Sequence, residues 1–73
     1  MPKLRILSAG EVCDILQENG FSKSRQAGSH FVMRRQTADG GRTVVVPNHS
    51  EIRPGTLKSI IDQSGLPRSL FAN

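Results

Sequence analysis

His30-Phe31-Val32-Met33-Arg34-Arg35-Gln36, then Asp39-Gly40-Gly41, then Arg42-Thr43-Val44-Val45-Val46-Pro47 is the stretch whose pattern sets the fold of this chain. Two runs rich in β-branched and apolar residues flank a glycine pair, and glycine takes the positive φ angles on which tight hairpins turn. The spacing predicts an antiparallel hairpin with one strand over His30 to Gln36, a turn at Asp39-Gly40-Gly41, and a second strand over Arg42 to Val46 that Pro47 ends. Successive side chains of a strand point to opposite faces. Phe31, Met33 and Arg35 therefore share one face, and His30, Val32 and Arg34 share the other. Phe31 and Met33 suit a face packed against helices, which leaves His30 and Arg34 on the open side.

Working toward the N-terminus, Phe21 to Gln26 reads as a polar strand anchored by Phe21 and followed by a turn at Ala27-Gly28-Ser29. Before it, Ser8-Ala9-Gly10-Glu11 fits a capping box, in which a hydroxyl and a carboxylate satisfy the free amides at a helix start. Val12, Ile15 and Leu16 recur at helical spacing and Asn19-Gly20 supplies a stop, so a helix is expected over residues 9 to 19. Cys13 sits beside its apolar face and reads as a small, partly buried thiol rather than a nucleophile.

Beyond the hairpin, residues 48 to 53 form a polar connection, and Pro54 has the fixed φ that suits a first helical turn. Leu57, Ile60 and Ile61 give a second apolar stripe, ending near Ser64-Gly65. Leu66, Leu70 and Phe71 fit either a short helical turn begun near Pro67 or a loose tail over residues 66 to 73. The order is αβββα, an α+β chain whose simplest packing is a three-stranded antiparallel sheet with both helices across one face. The expected core is Val12, Ile15, Leu16, Phe21, Phe31, Met33, Val45, Leu57, Ile60 and Ile61.

With 73 residues, the chain is expected to form one domain over 1–73. A lone cysteine forms no intrachain disulfide and, with two scattered histidines, does not match structural zinc spacing. A reducing cytosol suits it, and neither a signal peptide nor a membrane span is expected from Lys3, Arg5 and the short run Val44-Val45-Val46. Ten Lys or Arg against six Asp or Glu give a net charge of +4, which favours an anionic partner such as nucleic acid or an acidic protein. Glu11, Asp14 and Glu18 leave the first helix acidic outside, so the basic surface is expected around the sheet. A GxSxG elbow, a phosphate-binding P-loop and a dinucleotide-binding motif are absent, which disfavours common hydrolase, nucleotide-triphosphatase and oxidoreductase readings.

An opening helix followed by Asn19-Gly20-Phe21, the central Gly28-Ser29-His30, then Val46-Pro47-Asn48-His49, and Gly55-Thr56-Leu57 leading through Ile60 to Gly65 together resemble the HicA family of bacterial toxins. The resemblance covers nearly the whole chain. It implies a double-stranded-RNA-binding-like fold, messenger-RNA interferase activity, a cytoplasmic setting and neutralisation by a HicB-like antitoxin. His30 matches the family's catalytic histidine. Many relatives carry a further histidine directly after it, where this chain has Phe31, a departure that argues against any mechanism needing two adjacent imidazoles. His49 fits a histidine common after the third strand.

The expected activity is a metal-independent endoribonuclease that needs no cofactor. Histidine titrates near neutral pH, which suits it to moving a proton at a ribose 2′-hydroxyl or near the scissile phosphate. Ser29 and His49 are candidate supports. Lys23, Arg25, Gly28 and Arg34 are candidates for RNA contact, with Arg34 favoured because its face is that of His30. Two other readings remain at this stage: a noncatalytic double-stranded-RNA-binding module, which retains RNA without cutting it, and a domain whose positive face only binds an acidic protein.

Overall fold

In the computed structural model, residues 3–38 and 40–72 are described, so Asp39 of the expected hairpin turn and Asn73 of the expected tail lie outside the described residues. The elements in chain order are helix α1 (Ala9–Glu18), strands β1 (Ser22–Ala27), β2 (His30–Thr37) and β3 (Gly40–Pro47), helix α2 (Pro54–Ser64) and a short 3₁₀ helix (Arg68–Phe71). The sheet order is β1-β2-β3. Both pairings are antiparallel, and the β2–β3 ladder runs unbroken from His30 opposite Pro47 to Thr37 opposite Gly40. The αβββα order and the antiparallel sheet match the expectation.

The capping box forms as read. Glu11 N–H donates to Ser8 Oγ at 3.2 Å, and Ser8 N–H donates to Glu11 Oε1 at 3.0 Å. Pro54 opens α2, and Gly65 closes it with φ 70° in the left-handed region, where a β-carbon would be strained.

Val12, Leu16, Leu57, Ile60 and Ile61 from the helices pack in one cluster with Phe21, Met33, Val44 and Val46, so both helices cover the same sheet face. One expectation fails here. Val45 is 43 % exposed, whereas Val44 and Val46 are fully buried. The ladder places Val44 opposite Met33 and Val46 opposite Phe31, and directly opposed residues share a face. Three consecutive valines carry no alternation, so their facing is dictated by the partner strand and not by their own sequence. Phe31 and Ile15, expected in the core, are half-buried at its edge.

Four further core residues come from segments without helical or strand periodicity, or from a helix start: Leu7, Ala9, Ile52 and Phe71. Leu7 bridges Ile52, whose N–H donates to the Leu7 carbonyl at 2.7 Å, and Arg5 N–H donates to the Phe71 carbonyl at 2.9 Å. Arg68–Phe71 is thus a short helical turn, with Phe71 buried in the core and bonded to the N-terminal segment.

Candidate active site

The turn after β1 determines where His30 stands. Gly28 has φ 59°, the left-handed conformation that a tight turn demands and that glycine takes without steric cost. The chain reverses there, Ala27 pairs with His30, and His30 pairs with Pro47. Asn48 N–H donates to the Ser29 carbonyl at 2.7 Å, extending the attachment one step past the ladder. His49 N–H donates to the Pro47 carbonyl and the His49 carbonyl accepts from Ala9 N–H, each at 2.9 Å. Gly28-Ser29-His30 and Pro47-Asn48-His49, remote in sequence, are therefore fastened at one end of the sheet beside the start of α1. Ser29, His30, Asn48 and His49 are all exposed. Asn48, absent from the sequence-derived candidates, is the residue whose amide holds Ser29; its place between Pro47 and His49 was the available signal.

The cations divide in a way that alternation did not foretell. Lys23 pairs with Met33 and Arg25 with Val32, so β1 advances two residues where β2 advances one, and Ser24 is the extra residue of a β-bulge. The bulge sends Lys23 and Arg25 to opposite faces. Arg25 joins His30 on the open face, as the diagonal neighbour two residues from its partner, a relationship that spans about 7–8 Å between backbones. Lys23 is on the helix side, its Nζ 4.6 Å from the centroid of the Phe31 ring. The structure thus separates Lys23 from the cations expected beside His30.

Arg34 lies on the open face as read, but four residues along β2 from His30, about 13 Å at the usual strand rise. Its guanidinium leans over β3, with Nη1 donating to Thr43 Oγ1 at 2.9 Å and Nη2 lying 2.7 Å from where a β-carbon on Gly41 would stand. It can hold a neighbouring phosphate of a bound strand, and Arg25 is the nearer cation to His30.

Cys13 is half-buried, and burial pushes its thiol above the ordinary range, with Lys23 lowering and Asp14 raising it further. That agrees with the packing reading of this thiol, since the thiolate is the nucleophile. Among the described residues, no three or more His, Cys, Asp or Glu lie grouped so as to hold a metal ion, and no helix is long and apolar enough to cross a membrane.

A basic three-stranded sheet with two helices on one face, and an exposed histidine secured at the sheet's end, has the make-up of a small RNA-directed protein of the double-stranded-RNA-binding-like class. The family model of the HicA toxin of bacterial toxin–antitoxin systems matches residues 9–66, a span that contains every candidate site residue. The chain belongs to the HicA toxin family. No curated protein matches it. Membership makes the chain an RNA-cleaving toxin of a type II toxin–antitoxin system, with RNA and a HicB-like antitoxin as the counterparts the family implies. The binding-only and protein-only readings give way to it.

Proposed function

We propose that this toxin cuts messenger RNA in the cytoplasm by transesterification, with His30 as the proton carrier and no metal in the reaction. The observation that carries this reading is the setting of His30: an imidazole open to solvent on a backbone held by Pro47, Ala27 and the Ser29–Asn48 hydrogen bond. Such a group can approach a polymer substrate without paying for its own ordering. His30 takes the proton of a ribose 2′-hydroxyl, and the 2′-oxygen attacks phosphorus in line. The bond to the 5′-oxygen breaks, that oxygen leaves with a proton, and the products are a 2′,3′-cyclic phosphate and a 5′-hydroxyl.

Arg25 and, farther along the strand, Arg34 position backbone phosphates through directed donors. Ser29 and Gly28 shape the turn that presents His30, and His49 stands at the same end as a second candidate for proton transfer. The HicB-like antitoxin inhibits by covering this end of the sheet, with acidic groups near Arg25 and Arg34 steering the encounter.

Antitoxin-free protein incubated with structured and single-stranded RNAs in EDTA, followed by mapping of the product termini, tests the reading. Cyclic phosphate and 5′-hydroxyl ends are expected. Cleavage that stops in EDTA, or products with 5′-phosphate ends, would replace it with metal-assisted hydrolysis.

A further inference from the structure

On the helix side of the sheet, next to the site but separate from it, lies a groove of about 170 Å³ lined by Gly10, Cys13, Asp14, Gln17, Lys23 and Phe31. Three features distinguish it from an ordinary surface crease. Gly10 lies within α1, where alanine favours the helix, and a β-carbon on Gly10 would meet nothing nearer than Ser8 Oγ at 3.9 Å. Packing within the protein therefore leaves room for a β-carbon there, so Gly10 keeps this end of the groove open. Second, the Ser24 bulge turns Lys23 away from the open face and holds its ammonium over the Phe31 ring, 4.6 Å from the centroid. Third, two of its lining residues are chain neighbours of residues at the site, on the other face of the sheet. Phe31 follows His30, and Gly10 follows Ala9, whose N–H is bonded to the His49 carbonyl.

The lining chemistry selects among the parts of an RNA strand. A cation, Lys23, and a carboxylate, Asp14, line the groove together with the Cys13 thiol. Asp14 repels a phosphate, so the backbone is disfavoured. A base is favoured, because the half-buried Phe31 ring and the Cys13 side chain offer apolar contact while Lys23 donates and Asp14 accepts. The volume is below the roughly 300–1,000 Å³ of sites for drug-sized ligands, which fits one base. RNA-binding proteins read splayed bases through such aromatic contact and through hydrogen bonds to the Watson–Crick edge.

We propose that this groove is a nucleobase subsite that takes a guanine of the bound RNA strand. Guanine presents a carbonyl, O6, to the Lys23 ammonium and two adjacent donors, N1–H and the N2 amine, to the Asp14 carboxylate. Uracil offers that carboxylate one donor, whereas adenine and cytosine turn an unprotonated ring nitrogen toward it. The order of preference is guanine, then uracil, then the other two. The proposal rests on the reading of the chain as a ribonuclease centred on His30, and the experiment separates the two.

Titration of the isotope-labelled full chain with each 5′-mononucleotide, followed by nuclear magnetic resonance, reads the groove without cleavage. Saturable shifts at Gly10, Gln17 and Lys23 are expected at the lowest concentration with 5′-GMP. Equal responses to all four, or none in the groove, overturn the subsite whether or not the protein cuts RNA. Oligonucleotides varied one base at a time around the cut then give its consequence. Asp14→Asn should reduce the guanine-over-adenine preference roughly tenfold, the scale of one lost base-edge pair. Gly10→Ala should lose preference by occlusion while its melting temperature stays level or rises. Wild-type preference in both variants overturns the proposal. Loss of all cleavage by the wild-type chain, with intact 5′-GMP selectivity, overturns the ribonuclease reading alone.

Discussion

Arg35 and Arg42 stand directly across the β2–β3 ladder from each other, and each carries its guanidinium to the end of a different helix. Arg35 Cδ and Nε lie 3.5 Å from where a β-carbon on Gly20 would stand, just past α1, and Arg42 Nη1 donates to the Gln63 carbonyl at 3.3 Å in the last turn of α2. Like charges directly opposed on a sheet repel. Drawing each toward a helix C-terminus, where exposed carbonyls carry partial negative charge, offsets that repulsion. Two of the arginines that make the chain basic thus serve the fold, and Arg25 and Arg34 are the hairpin and β1 arginines that face open solvent on the sheet.

This arrangement couples Arg42 to Gly65. A β-carbon on Gly65 would stand 2.7 Å from Arg42 Cζ, at a φ of 70°. Gly65→Ala should therefore lose about 1–2 kcal/mol from backbone strain and more from displacing Arg42. Arg42→Ala alone should lose about 0.3–1 kcal/mol, the scale of an exposed cation at a helix C-terminus. In urea unfolding of the four proteins of the cycle, Gly65→Ala should cost less in the Arg42→Ala background than in the wild type. Strict additivity would mean that the two residues do not press on each other.

The third strand shows where sequence reading reaches its limit. Capping at Ser8 and Glu11, Pro54 at a helix start and glycines at turns are local chemistry, and they placed the element order and nearly every boundary. The facing of Val44, Val45 and Val46 is a property of pairing with β2, and the split of Lys23 from Arg25 is a property of one extra residue in β1; neither leaves a periodic trace. Leu7 and Ile52 belong to the core through an isolated bridge and Phe71 through the short 3₁₀ helix, again without a period. In the site, the histidines and the motif around them were legible, while the nearer cation and the Asn48 tether needed the ladder. Val44→Thr should cost about 1–3 kcal/mol by burying a hydroxyl, and Val45→Thr should stay within about 0.5 kcal/mol. Phe71→Ala should cost about 3–5 kcal/mol. Chemical denaturation ranks the three; equal costs for Val44→Thr and Val45→Thr would contradict the observed register.

The start of α1 should give stability an acid limb. Glu11 is held below its ordinary value of 4.5, first by the Ser8 backbone N–H, then by the Ser8 hydroxyl, with Arg5 adding a smaller effect in the same direction. A carboxylate whose pKa is lower folded than unfolded contributes stability above its unfolded pKa, and that contribution fades as pH falls through the folded value. Ser8→Ala removes the cap, at about 1 kcal/mol near neutral pH, and with it one cause of the lowered pKa. The gap in urea midpoint between wild type and Ser8→Ala should narrow from neutral pH into the acid range as Glu11 protonates, without closing, because the Ser8 hydroxyl still accepts from the Glu11 N–H. A gap that stays constant to the lowest pH would show that the Ser8 hydroxyl does not act on the Glu11 carboxylate.

His30→Ala should keep the fold and lose cleavage, because its side chain is exposed and its structural work is done by the backbone, through Pro47, Ala27 and the neighbouring Ser29 carbonyl. A positioned proton carrier is worth roughly 10²–10⁴-fold in rate, and the variant should fall by that range at unchanged melting temperature. Arg25→Ala and Arg34→Ala should instead weaken RNA binding and reduce its salt dependence, as removal of a phosphate contact does, with Arg25→Ala also lowering turnover because it is the nearer of the two to His30. His49→Ala distinguishes a second proton carrier from a bystander. His49 is fixed through its own backbone to Pro47 and Ala9, so its replacement leaves the end of the sheet intact, and a change in the shape of the pH–rate profile would mark it as the group that returns the proton to the leaving oxygen. An unchanged profile would leave that proton to solvent. Wild-type cleavage by His30→Ala, in protein shown to be folded and free of antitoxin, would remove His30 from the reaction and transfer the test to His49.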